Sequence, residues 1–309
     1  MSSHHSDSSH LARGILLILL AVLLFSSMDT LAKHMLRSYP LAPLVFARYA
    51  VHTLIMLALL APRMGLELVR TKRLGLQITR GLLLVGSTGL FYLALRYLPL
   101  AEAAAISFVA PVMVTALSRP LLREAVSPRQ WVAVALGFIG VLVIIRPGGG
   151  LLTPASVLPL ITALLFALYQ IMTRKLAGRE NAFTTLFFTA AVGTIAASLA
   201  LPFSWQTPTV TQAASMLAIG CLGGLGHFLL IRAVEVASPT ALAPFVYTQL
   251  VWSTLLAFIA FGEFPDPVSL FGMVVVVAAG LLAINWRRLR RPDRAMQRTP
   301  VQPLPQETQ

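Results

Sequence analysis

Charge is scarce in this chain. Lys, Arg, Asp and Glu make up 11% of its 309 residues, against roughly 25% in a typical soluble domain. That deficit excludes an ordinary water-soluble fold. A single cysteine, Cys221, excludes an internal disulfide framework and says nothing of redox compartment. Acids are rarer than bases, 11 against 24, for a net charge of +13. A nucleic-acid partner would need those bases on one face among aromatics; instead they sit in short gaps between long apolar runs, so no nucleic acid is expected. His-Glu-x-x-His, Gly-x-Ser-x-Gly and a Gly-rich phosphate loop ending in Lys-Ser/Thr are all absent. The lone carboxylates are scattered, which leaves a membrane-embedded lipid- or isoprenoid-processing enzyme without a clustered catalytic set; no enzyme and no cofactor is read. Nothing resembles the rings of carbonyls or charges that make a channel filter.

Apolar sequence fills the space: 57% of residues are hydrophobic. A helix needs about 20 apolar residues to cross a hydrocarbon core about 30 Å thick. Ten runs qualify, with approximate cores at 14–31, 43–61, 81–98, 101–118, 131–145, 155–173, 183–201, 213–234, 239–262 and 268–286. The third is separated from the fourth, and the eighth from the ninth, only by a few residues around Arg96–Pro99 and Glu235–Pro239. The first run is read as an uncleaved span, since no small-x-small processing site follows it cleanly and it continues into Asp29 and Lys33. With the N-terminus cytoplasmic, 19 Lys/Arg fall on the inner side and four on the outer (Lys33, Arg37, Arg96, Arg146), with Arg48 inside a span. That bias predicts both termini inside and an even number of spans in a cell (inner) membrane. Residues 1–12 read as a polar disordered tail, where His4, His5 and His10 are taken as tail residues and no metal site is expected. Residues 287–309 read as a basic cytoplasmic tail that touches the lipid bilayer or anchors the topology.

The chain also repeats itself. A shift of 139 superposes Glu124 on Glu263 and Pro128 on Pro267, and a shift of 141 superposes Leu23-Leu24-Phe25 on Leu164-Leu165-Phe166. Asp29 then meets Gln170. Residues 13–147 and 151–286 thus form two five-span units. An odd number per unit turns the second one over, which predicts an all-α integral membrane protein of ten transmembrane helices in two inverted five-helix repeats. Carriers of this plan place their sites near the midplane, at the repeat interface.

Tyr97-Leu98-Pro99-Leu100-Ala101-Glu102-Ala103-Ala104, Ala110-Pro111-Val112, Arg123-Glu124 and Gly137-Phe138-Ile139-Gly140-Val141-Leu142 resemble the EamA-type ten-helix members of the drug/metabolite transporter superfamily. In the second half Ala243-Pro244-Phe245-Val246-Tyr247-Thr248-Gln249-Leu250 and Phe261-Gly262-Glu263 do the same. The resemblance implies a carrier with a central cavity for a small organic solute, of amino-acid, nucleoside-like or flavin-like kind. Residues 26–33 are similar to relatives that carry riboflavin or S-adenosylmethionine. One departure is Leu250, which stands where the first half has Pro111.

Polar groups at membrane depth are costly and mark candidate sites. Asp29 and Arg48 fall at similar depth in the first two spans. They are read either as a gate or solute contact, or as a surface pair of Asp29 with Lys33 and a snorkelling Arg48. Tyr247 and Gln249, with Trp252 nearby, lie near the middle of the ninth span, suited to grip a flat polar solute or to glue helices. Tyr92 is placed near the middle of the third span, and Tyr169 and Gln170 low in the sixth. His227 lies among Gly220, Gly223, Gly224 and Gly226, either for proton coupling or for a helix–helix hydrogen bond. Pro111 and Pro244 are hinge candidates. Glu124 and Glu263 are read as structural clamps. Without a nucleotide motif, concentrating work falls to proton coupling or exchange. A homodimer is left open.

Overall fold

A computed structural model describes residues 3–123, 126–146, 153–176, 178–237 and 239–283. Its helices are α1 (Ser3–Met35), α2 (Leu41–Met64), α3 (Leu74–Ala94), α4 (Leu100–Ser107), α5 (Ala110–Leu122), α6 (Pro128–Ile145), α7 (Val157–Leu176), α8 (Ala182–Ser198), α9 (Val210–Val236), α10 (Pro239–Val246), α11 (Thr248–Phe261) and α12 (Pro267–Ala283). Among the described residues there is no strand. Among the described residues nine segments are long and apolar enough to cross a membrane, with α4–α5 and α10–α11 each counting as one; α12 is a tenth, shorter apolar helix. Glu124 and the basic tail 287–309 lie outside the described residues.

Local sequence sets the helix ends. Ser127 and Gln130 form a capping box at the start of α6, and Thr209 and Gln212 form another at α9; each fills backbone donors that the first turn leaves open. Asp266 caps α12, accepting from the Val268 and Ser269 amides at 2.9 and 3.2 Å. Desolvation, the largest single influence, raises the Asp266 carboxyl, but the Ser269 hydroxyl, these amides and Arg146 together outweigh it and hold the group below its ordinary value. Helix α1 starts at Ser3, inside the segment expected from sequence to be a disordered tail. Extending an existing helix costs far less than nucleating one, and the apolar span supplies the nucleus.

The two halves match element by element. Adding 139 to the bounds of α4, 100–107, gives 239–246, the bounds of α10; adding 141 to the start of α2 gives the start of α8. The packing obeys the same exchange. α1 lies on α9 and α11 as α7 lies on α3 and α5, while α2 meets α8 and α6 meets α12. Residues that correspond across the repeat touch each other. Thr53 and Thr194, related by 141, share a hydrogen bond of 3.0 Å. Phe108 and Tyr247, related by 139, pack with ring centroids 5.5 Å apart. A pseudo-two-fold axis therefore runs between these pairs.

Both candidate hinges flank helix breaks. The fourth and ninth spans, read from sequence as continuous, each interrupt at the aromatic on this axis: Phe108–Val109 between α4 and α5, and Tyr247 between α10 and α11. Pro111 sits in the first turn of α5, where its missing amide costs no bond. Pro244 sits inside α10 one turn before the break, and its carbonyl accepts from the Tyr247 amide at 3.3 Å.

The last helices of the halves, α6 and α12, cross at small residues. A Cβ on Gly272 would lie 2.6 Å from Ile144 Cγ1 and 2.9 Å from the Gly140 carbonyl oxygen, so the backbones themselves are in contact. Gly272→Leu is therefore expected to cost about 1–3 kcal/mol by overpacking. A lowered Tm in detergent would register that cost. Gly75→Ala, where nothing lies within 4 Å of the added carbon, is expected to leave Tm unchanged or slightly raised.

Candidate functional site between the halves

Asp29 lies six residues before the end of α1 and Arg48 seven after the start of α2, which puts both about 10 Å in from the same face at 1.5 Å per residue. Asp29 is 7% exposed. Among the described residues it makes neither a side-chain hydrogen bond nor an ion pair. Its neighbour one turn on, Lys33, pairs instead with Glu263 at 2.6 Å. Arg48 does not snorkel. Its guanidinium stacks over the rings of Tyr49 and Tyr92 at 5.5 and 5.6 Å, and its one hydrogen bond among the described residues, to the Tyr92 hydroxyl, is long at 3.5 Å. A guanidinium has five donors in a plane, so that bond engages only one of them. Tyr92 sits two residues before the end of α3, nearer this face than the sequence suggests, and its ring is fully buried.

Deeper in, aromatic rings line up. His52, one turn beyond Arg48, stacks on His227 with centroids 5.6 Å apart and planes 6° from parallel. Phe25 meets the His227 ring edge-on at 4.9 Å. The glycine run of α9 makes this proximity attainable: a Cβ on Gly226 would lie 2.7 Å from the Phe25 ring and one on Gly223 3.0 Å from Met28 Sδ. Nε2 of His52 is buried without a hydrogen-bond partner among the described residues. Asp29, Arg48, Tyr92 and His227, four residues singled out from sequence, are thus gathered where α1, α2, α3 and α9 converge. Tyr49 and His52 join them, although sequence alone gave no reason to pick either.

The remaining candidates go elsewhere. Tyr247 is buried on the axis against Phe108 and Gly280, its hydroxyl without a partner among the described residues. Gln249 is half-buried, and its backbone carbonyl accepts from the Ser26 hydroxyl at 3.3 Å. Trp252 is half-buried and Gln170 exposed. Tyr169 belongs to a second cluster, built on a residue that sequence reading assigns to a flank. Arg80, 4% exposed, donates to the hydroxyl of Thr173 at 2.6 Å, the carbonyl of Thr185 at 2.8 Å, the Thr189 hydroxyl, and the Tyr169 hydroxyl at 2.8 Å. Every one of these partners is neutral. One signal was present in the sequence: Gln77, Arg80, Leu84, Ser87 and Thr88 recur at helical spacing, which puts the polar ones near one stripe of α3.

A cavity of about 800 Å³ opens at the face where α1 ends. Tyr39 on its wall donates to the Gln206 carbonyl, and burial pushes its phenol above the ordinary value.

An all-α membrane protein in two inverted five-span halves, with cations and rings gathered at their interface, defines the inverted-repeat class of membrane transporters. The model of the EamA-like transporter family matches residues 12–146 and 153–285, and the chain belongs to that family. Over 275 residues it is 31% identical to the S-adenosylmethionine uptake transporter of Rickettsia bellii (strain RML369-C), covering 88% of this chain and 93% of that one. It is 28% identical to a riboflavin transporter of Rhizobium johnstonii, covering 93% and 96%, and 28% identical to a pseudopaline exporter of Pseudomonas aeruginosa, covering 87% and 95%. A solved crystal structure shares the fold, with a TM-score of 0.62 at 20% identity over 92% of this chain and 99% of the other.

Because Arg80 ties α3, α7 and α8 through neutral oxygens alone, each partner carries weight. Thr189→Val leaves a charged donor without its acceptor and is expected to cost roughly 1.5–3 kcal/mol. Thermal unfolding in detergent should show a lower Tm than for Thr211→Val on the exposed start of α9.

Proposed function

We propose that the protein is a secondary transporter for a zwitterionic metabolite with a flat aromatic group, of the S-adenosylmethionine type, and that the solute binds among Asp29, Arg48, Tyr92, His52 and His227. The observation that carries this reading is that Asp29, buried, and Arg48, half-buried, sit at one depth with no ion pair between them among the described residues. A carboxylate and a guanidinium left apart in a low-dielectric site are each costly, and a zwitterion offsets both at once. Arg48 takes the solute carboxylate as a two-pronged pair, Asp29 takes the cationic centre, and the His52–His227–Phe25 rings take the flat base by stacking. The R. bellii relative, named for S-adenosylmethionine uptake, supports the same solute class. Work against a gradient comes from proton coupling or exchange, with both termini in the cytoplasm of a cell-membrane protein.

Alternating access follows from the inverted halves. A site on one side of the pseudo-two-fold axis opens to one face, and exchanging the conformations of the halves opens it to the other.

Purified protein in liposomes should take up labelled S-adenosylmethionine saturably, with counter-exchange. Linear flux without exchange would defeat the carrier reading. Saturable exchange of riboflavin but not of S-adenosylmethionine would defeat the zwitterion reading. Arg48→Gln and Asp29→Asn should each weaken binding by roughly thirtyfold or more, since truncating one partner of a buried charge pair costs about 2–5 kcal/mol.

A further inference from the structure

The face where α1 ends carries few ionic side chains. Among the described residues its cations are Lys33, Arg37, Arg96 and Arg146, and its acids beside the mouth are Glu263 and Asp266. Those acids are already engaged. Glu263 pairs with Lys33 at 2.6 Å and accepts the Leu100 amide at 3.3 Å. Asp266 pairs with Arg146 while it caps α12. Glu102, in the first turn of α4, is buried and ion-pairs with neither remaining arginine. Arg37 and Arg96 are therefore left with neutral partners. The Arg37 guanidinium lies over the Phe261 ring at 4.8 Å, and Arg96 donates to the Tyr39 carbonyl at 3.1 Å.

Both of these arginines line the cavity of about 800 Å³, together with Lys33, Tyr39, Tyr97 and Gln206. A guanidinium stacked on a ring keeps its in-plane donors free. Lys33, the deepest cation on the wall, lies one helical turn from Asp29 on α1 and so on the same face. Along α1 the cavity wall thus stops one helical turn short of Asp29. Topology does not ask for cations here either, because the Lys/Arg bias that orients the chain concentrates them on the other face.

We infer that this cavity is a capture site in which Arg37 and Arg96 hold the carboxylate of a solute before it passes Lys33 and Glu263 toward Asp29 and Arg48. This rests on the transporter reading and adds a first binding position to it. The ligand class is a small carboxylate, zwitterionic or anionic. Two exposed arginines at a membrane surface could also hold an anionic lipid headgroup, and the experiment separates the two.

Wild-type protein in phosphatidylcholine nanodiscs is treated with phenylglyoxal, and modification of Arg37, Arg96 and the control Arg119 is followed by peptide mass spectrometry. Methionine and S-adenosylmethionine at saturation should slow modification of Arg37 and Arg96 several-fold but leave Arg119 unchanged. Methioninamide, which lacks the carboxylate, should give no protection. The inference is overturned if methionine and S-adenosylmethionine fail to protect, if methioninamide protects equally, or if protection arises only when phosphatidylglycerol is added to the disc. In liposomes, Arg37→Gln combined with Arg96→Gln should raise KM about tenfold with kcat unchanged; an unchanged KM in a folded variant also overturns it. Protection without transport would count against the carrier reading alone, and transport without protection against this inference alone.

Discussion

Inside a bilayer a backbone amide or carbonyl without a partner finds no water to bond, and that constraint governs the arrangement of this molecule. Continuous helices meet it by themselves. Among the described residues, the two spans that break do so at the pseudo-two-fold axis between the halves, where Val109 and Tyr247 are buried. Phe108 and Tyr247 mark both breaks and pack on each other there. Nearby side chains take up part of the freed backbone, as when the Thr248 hydroxyl donates to the Phe245 carbonyl at 2.6 Å. The positions of the breaks follow from the symmetry, and the symmetry follows from five spans per half.

The same shortage of water sorts the charges. Lys33 and Glu263, near a face, satisfy each other and tie the end of α1 to the α11–α12 connection. Glu263 thus clamps, as its place after a helix end suggested, although the partner comes from the other half of the chain. Arg80 is buried with four neutral acceptors around it. Hydrogen bonds to an ion are worth more than those between neutral groups, so hydroxyls and a carbonyl can hold a guanidinium without an acid. Among the described residues Arg48 has far less: two tyrosine faces and one long bond.

The fold was legible because it depends on long patterns. Span length, charge bias and the constant shift of 139 are properties of many residues at once, and they led to ten helices in two inverted halves. The broken spans were not legible, since 101–118 and 239–262 are apolar throughout and a break leaves no mark in hydrophobicity. The candidate site was only partly legible. Asp29, Arg48, Tyr92 and His227 stood out as polar groups deep in apolar runs, and they do converge. Arg80 looked like a flank because the apolar run begins one residue later, at Gly81. His52 gave no signal, since its part depends on a ring from α9 lying parallel to it, and nothing in the sequence spacing encodes a contact over 175 positions. Gln170, chosen because it matches Asp29 across the repeat, points to an exposed surface. Repeat symmetry equates backbones, not side-chain duties.

That last difference shows in the arginines. The repeat relates Arg48 to Thr189 through the shift of 141, and Thr189 is one of the acceptors that hold Arg80. Beside the second helix of each half, therefore, stands a cluster of one guanidinium and at least one tyrosine, but the guanidinium comes from α2 in one cluster and from α3 in the other. In the α3 case four acceptors converge, so the guanidinium is held by the protein itself. In the α2 case, among the described residues, the guanidinium makes one long hydrogen bond and the carboxylate at the same depth, Asp29, makes no ion pair. Two halves of one backbone plan thus place their polar groups differently, because a side chain answers to the neighbours it meets and not to its position in the repeat.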